Sequence, residues 1–187
     1  MQRSRACTVS RMESQLFRPA DRRRYPTDRR LTMNLDDIPK RFANHFGDDR
    51  SDYTLNPPST STELESAELR LSASFPADIA TFFLRFNGCL VPNPHVDILP
   101  LNLWSRASDS LVQFAWVDFS ATLCFDTSCI NDAGQWDIVC PGSRFRITHT
   151  FASLFTVHIW KWIDRRIPFW LPDWLDYAQG RKTHAGG

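Results

Sequence analysis

Three cysteines and a histidine come closest to a chemical pattern in this chain. Cys124-x4-Cys129-x10-Cys140, followed by His149, places four candidate metal ligands in one stretch. Zinc takes four such ligands in a tetrahedron, and a thiol nucleophile needs an imidazole within reach. His149 or His158 could serve Cys140 or Cys129 in that way. Against this, zinc knuckles set their Cys pairs closer together on turns. Cys124 lies between Leu123 and Phe125, where a thiol acts as a small hydrophobe. The chain has no G-x-S-x-G, phosphate loop, dinucleotide fingerprint or H-E-x-x-H. The reading from these residues is a protein that is not an enzyme, with no catalytic residue, no metal and no cofactor.

The acids carry a second pattern. Asp97, Asp118, Asp126, Asp132 and Asp137 all lie on or beside candidate strands. They fit an acidic face that meets a basic partner such as a nuclease, and they equally fit an ordinary solvated surface. Trp136, flanked by loop residues and Asp137, is either an anchor for a partner pocket or a core ring. Trp104 and Trp116 carry the same two readings.

Positioning these residues requires a scaffold. A short helix is expected near 38–46. Thr60 with Glu63, or Thr62 with Glu65, can form a capping box for a helix over about 62–73. In "FPADIATFFLRFNG" (75–88), Pro76 suits a first turn and Asp78 suits the positive end of the helix dipole. Ile79, Phe82, Phe83 and Phe86 make one apolar stripe, and Asn87-Gly88 is expected to stop the helix in a left-handed cap. Five apolar runs bounded by turn residues follow at 96–101, 111–119, 121–127, 135–140 and 144–149. Thr150 then caps a helix with Phe151, Leu154, Phe155, His158, Ile159 and Trp162 on one face. The order is α+β: N-terminal helices and a C-terminal helix on a mostly antiparallel, twisted sheet of about five or six strands. The run "WKWIDRRIPFWLPDWL" suggests an interfacial membrane helix, but Pro168 and Pro172 interrupt it, and packing on the body is the expected role.

Charge divides the chain. Residues 1–32 hold nine Arg against three acids, whereas residues 33–187 hold 13 basic side chains against 18 acidic ones. The basic leader reads as disordered. It is either an arm for nucleic acid or anionic membrane, or a stretch upstream of a start at Met12 or Met33. It lacks the apolar run of a signal peptide, and no window is apolar enough to span a membrane. The expected compartment is the cytoplasm, with the five Cys as free thiols. The expected organisation is the leader (1–32), a short helix and linker (33–61), one α+β domain with an aromatic extension (62–178) and a frayed tail (179–187).

The spacing of Glu68, Leu71, Pro76, Ile79, Phe82, Asn87 and Gly88 resembles the motif of the SUKH superfamily. That motif runs through a hydrophobic residue, Glu, Leu-Gly, hydrophobic-Pro, two aromatics and Asn-Gly. "TFASLF" (150–155) is similar to the family's later helix start, so the resemblance covers roughly 60–163. Two departures stand out: Ser72 replaces the glycine after Leu71, and "VDFSATLCFD" lacks the glycine usual in the central strands. Bacterial members of the superfamily are largely immunity proteins of polymorphic toxin systems, and it includes a fungal regulator of cell-wall glucan synthesis. The resemblance therefore implies a monomer or weak homodimer that sequesters a cognate protein toxin, with a nuclease as the best match to the charge. The alternative is a regulatory scaffold with several protein partners. Neither involves direct nucleic-acid contact or a membrane span.

Overall fold

The stripe of Ile79, Phe82 and Phe83 is fully buried, and the chain folds around it. The structure, a computed structural model, describes residues 34–47, 52–143 and 145–183. All belong to one unit spanning 32–187. The basic leader (1–32) and the last four residues of the tail lie outside the described residues.

The N-terminal half is helical. Helix α1 (Asp37–Phe46) buries Ile38 and Phe42. Strand β1 (Thr54–Leu55) follows, then α2 (Ser61–Leu71) and α3 (Ala77–Phe83). Of the two candidate capping boxes, Thr60 with Glu63 forms: the Thr60 hydroxyl accepts the Glu63 N–H at 3.2 Å, and Glu63 accepts the Thr60 N–H at 2.7 Å. For residues 33–61 the sequence suggests a short helix and a linker; the helix is α1, whose Phe42 packs 5.1 Å from the Trp160 ring, and within the expected linker β1 pairs with the sheet. Ile38, Phe42 and Phe46, one per helical turn, set α1 against the core despite the polar residues between them.

Eight antiparallel strands make one sheet: β1, β2 (Cys89–Val91), β3 (Val96–Ile98), β4 (Ser105–Arg106), β5 (Leu111–Val117), β6 (Ala121–Asp126), β7 (Asp137–Cys140) and β8 (Phe145–Thr148). The order is β1-β2-β3-β5-β6-β7-β8, with β4 also paired to β5. The α+β class is as expected. The strand number is higher because β1, β2 and β4 are too short to show a period in sequence. A 3-10 turn (Leu101–Leu103) replaces the end of the expected strand 96–101.

After β8 the Thr150 hydroxyl accepts the Ser153 N–H at 3.0 Å and starts a helical rod. It comprises α4 (Phe151–Ser153), a π-helical stretch (Leu154–Ile159) and α5 (Trp160–Arg165), followed after Pro168 by α6 (Trp174–Ala178). Phe82 and Phe83 of α3 meet Phe151, which in turn meets Phe114 and Phe125 of the sheet, and the last two rings stack at 3.9 Å. Trp104 fills the same core, and its indole N–H donates to the Leu99 carbonyl at 2.9 Å. Buried Gln135 joins the two helix starts: its amide donates to Asp78, and its carbonyl accepts the Phe151 N–H at 3.0 Å.

The residues of the α2–α3 motif each have a physical task here. Glu68 accepts the Phe75 N–H at 2.5 Å, closing the loop between helices. Leu71 is core, and Pro76 is the N-cap of α3. Asn87-Gly88 is not the helix stop that the sequence suggests. Helix α3 ends at Phe83 with Leu84 as its cap, in right-handed conformation, because the turn at 84–86 still lets Phe86 pack. Asn87 instead ties the helix to the sheet. Its side-chain carbonyl accepts the Leu101 N–H at 2.8 Å, and its backbone carbonyl accepts from Asn56 at 2.8 Å. Gly88 has φ +89, and a Cβ there would meet the Ile98 carbonyl oxygen at 2.1 Å. Only glycine permits that approach.

Candidate binding surface

The cysteine pattern does not assemble. Cys89, Cys124 and Cys140 are buried and Cys129 is half-buried, all as free thiols. Burial pushes the Cys124 thiol up to about 12, helped by the nearby Cys140, which leaves it unreactive at neutral pH. Cys140 ends β7, while His149 sits beside Asp137 at the strand's other end. Three residues of strand separate them by about 10 Å, so the two do not form a dyad. Among the described residues no group of three or more His, Cys, Asp or Glu side chains is placed to hold a metal ion.

Strand register sorts the acids. Val96 and Ile98 point to the core, so Asp97 faces the other way. Asp97 pairs with Leu90 on one side and Trp116 on the other, and Trp116 pairs with Thr122. These four residues form one row on the face away from the helices. A second row runs Ser105, Gln113, Cys124, Val139, Arg146. A third runs Leu111, Asp126, Asp137. A bulge between Gln113 and Ala115 lets Phe114 point inward without flipping the face on either side. Cys124 and Val139 in the middle are buried, and the surrounding Asp97, Gln113, Trp116, Thr122, Asp126 and Asp137 are half-buried. Leu90 is 37% exposed. Asp97, Asp126 and Asp137 thus share one open sheet face with Trp116.

The other candidates lie elsewhere. Asp132 is exposed in the turn before β7. Trp136 is a core ring: it is 4% exposed and packs 5.8 Å from Phe75 and 5.7 Å from Phe125. Its place as a partner anchor is therefore withdrawn, because β7 enters from the core side and turns outward only at Asp137. Trp104 is core as well.

Asp126 and Asp137 face each other directly across β6 and β7. Like charges so placed repel. The structure offsets this with partners on Asp137. Asn131 donates to it at 2.8 Å, His149 Nδ1 lies 2.8 Å away, and Arg146 lies 3.3 Å away. Burial alone would raise the Asp137 carboxyl, but the hydrogen bonds to His149 and Asn131, with the charges of His149 and Arg146, hold it below the ordinary carboxylate value. Asp126 accepts the Ser128 N–H at 3.0 Å. At the far end, burial pushes the Asp97 carboxyl up, partly countered by His95. Among the described residues no Lys or Arg forms an ion pair with Asp97.

Asp118 marks a feature that sequence reasoning missed. The turn Val117–Ser120 between β5 and β6 closes with the Ser120 N–H on the Val117 carbonyl at 3.3 Å. Its two central residues, Asp118 and Phe119, have φ +53 and +54. Two positive φ angles define a type I′ turn, which Asn-Gly or Asp-Gly normally supplies. Phe119 occupies the glycine position and is 75% exposed. Its ring stacks on His95 at 4.0 Å, and its N–H donates to His95 Nδ1 at 3.2 Å. The available signal was the absent glycine in "VDFSATLCFD".

The sequence matches no family model and no curated protein. No helix among the described residues is long and apolar enough to cross a membrane.

Proposed function

We propose that this protein is a non-catalytic binding module that sequesters a basic protein partner on its open sheet face, as an immunity protein neutralises a nuclease toxin. The observation that carries the reading is the strand register that sets Asp97, Asp126 and Asp137 on one side with Trp116 among them. A sheet face with an aromatic ring and carboxylates, of which Asp97 has no Lys or Arg partner among the described residues, gives area for packing and a field that steers a cationic surface. The acidic balance of residues 33–187, 18 acids against 13 basic residues, acts in the same direction. Resemblance of the α2–α3 motif to the SUKH superfamily supports the toxin as partner class, by analogy of scaffold alone. The mechanism is occlusion: the bound face covers the toxin's active site or a surface beside it.

The test is co-expression with the protein encoded by the adjacent gene, followed by purification and a binding titration at two salt concentrations. The expected outcome is a stable complex, rescue of growth and an affinity that weakens with salt. Replacing Asp97 and Asp126 together by Lys should slow association by roughly tenfold or more. Failure of the wild-type chain to bind or protect overturns the reading. Binding to several unrelated proteins without protection points to a regulatory scaffold instead.

A further inference from the structure

We infer that Phe119, held at the tip of the β5–β6 turn, is an anchor that inserts into an apolar pocket rimmed by Arg or Lys on the protein partner. This deepens the sequestering function above and rests on it. Three observations meet at this position. An aromatic side chain occupies a left-handed backbone position that disfavours every residue with a Cβ and is normally glycine. Strain of this kind persists where surrounding structure holds it, and it gathers at functional positions. Here the hold comes from His95, whose carbonyl accepts the Asp118 N–H at 3.0 Å and whose Nδ1 accepts the Phe119 N–H. His95 also stacks on one face of the ring, so the ring is displayed in a fixed pose at 75% exposure. A ring ordered before binding loses little freedom on insertion.

The chemistry of the pocket follows from the neighbours. Asp97 and Asp118 lie close enough to His95 to influence its charge, and the Asp97–Trp116 row of the open face runs up to this turn. An apolar anchor with two carboxylates beside the histidine that holds it is complementary to an apolar pocket flanked by cations, and it repels an acidic surface. Leu69 is as exposed as Phe119, but it lies on a regular helical turn of α2, without strain or a stacking partner among the ring contacts, and it serves as the control.

Phe119→Gly tests the anchor, because Asp-Gly is the preferred type I′ pair. The probe is the protein encoded by the adjacent gene, as in the co-expression test above, titrated against the full chain. The expected result is an affinity loss of roughly tenfold to a hundredfold with a melting temperature equal to or above that of wild type. Leu69→Ala should bind as wild type does. Wild-type affinity in Phe119→Gly overturns the anchor while leaving the sequestering function intact. A fall in melting temperature of more than about 5 °C overturns it too, since the ring would then be structural. No binding by the wild-type chain sinks the sequestering function and the anchor together.

Discussion

The two faces of the sheet are built from the same strands and obey different rules. On the covered face, β5 and β6 present Val112, Phe114, Ala115, Val117, Leu123 and Phe125, all buried. The rings there interlock with each other and with α3 and α4. On the open face the same two strands present Leu111, Gln113, Trp116, Thr122 and Asp126, none of them fully buried, around a buried Cys124. The covered face is apolar, and the buried Gln135 beside it has partners at both ends of its amide. The open face keeps carboxylates opposite each other and an aromatic ring half in water. Burial therefore explains the first face completely, and the second has a composition that folding does not require.

The comparison breaks most directly on β6. Phe125→Ala removes a ring stacked at 3.9 Å on Phe114 and in contact with Trp104, Trp136 and Phe151. It should cost about 3–5 kcal/mol. Thr122→Ala, three residues earlier on the open face, should cost less than about 0.5 kcal/mol. Urea denaturation of both variants measures the contrast. Comparable losses would mean that the open face is also a packed interior.

Acid separates the faces in a second way. His158 lies in the π-helical stretch, against the rings of Phe169 and Trp174, and its Nδ1 has no hydrogen-bond partner among the described residues. Burial, with the charge of Lys161 adding to it, pushes its imidazolium down to about 4. Below about pH 6.5 the unfolded chain takes up a proton that the folded chain refuses until about pH 4. Stability therefore falls as pH drops through that window, by on the order of 3 kcal/mol, and this contribution levels off below it. Asp137 on the open face acts lower. Its folded value is depressed, so its stabilisation is complete above the ordinary carboxylate value and is lost as pH falls below about 4. Denaturation midpoints from pH 8 to 3 should show both phases. His158→Leu should flatten the upper phase alone, and Asp137→Asn the lower one alone.

Much of the covered face was legible in the sequence because its signals are periodic. The stripe Ile79, Phe82, Phe83 and the alternation Leu123, Phe125 each follow a single geometric repeat. The open face was only partly legible. Its acids could be named, but which of them share a side depends on register across four strands and on a bulge at Phe114, and neither is written in local pattern. Trp136 shows the same limit: adjacent to Asp137 in sequence, it points to the opposite side of the molecule's wall. Asn87-Gly88 was found for a local reason, as a helix stop, whereas its task is a long-range contact with residues 98 and 101. The π-helical stretch had no signal, because a shift from four- to five-residue bonding leaves the apolar stripe nearly unchanged.

The smallest effect sharpens the comparison most, because it sets two strained positions side by side. Ser72 ends α2 with φ +49, as left-handed as Phe119 and likewise without the glycine that this conformation favours. It lies on the helical side, where its carbonyl accepts from Arg106 at 3.4 Å and its N–H from the backbone closes on Leu69 at 3.2 Å. Its side chain is exposed and makes no hydrogen bond among those described. Ser72→Gly should therefore relieve the strain without losing a contact and raise stability by about 0.5–1 kcal/mol. It should leave partner affinity untouched. Phe119→Gly relieves the same conformation but removes an exposed, fixed ring. If both variants gain stability and only the second loses affinity, strain at Ser72 is incidental and strain at Phe119 is maintained for binding. If Ser72→Gly also weakens the complex, the binding surface extends around the end of α2, and the open face is only part of it.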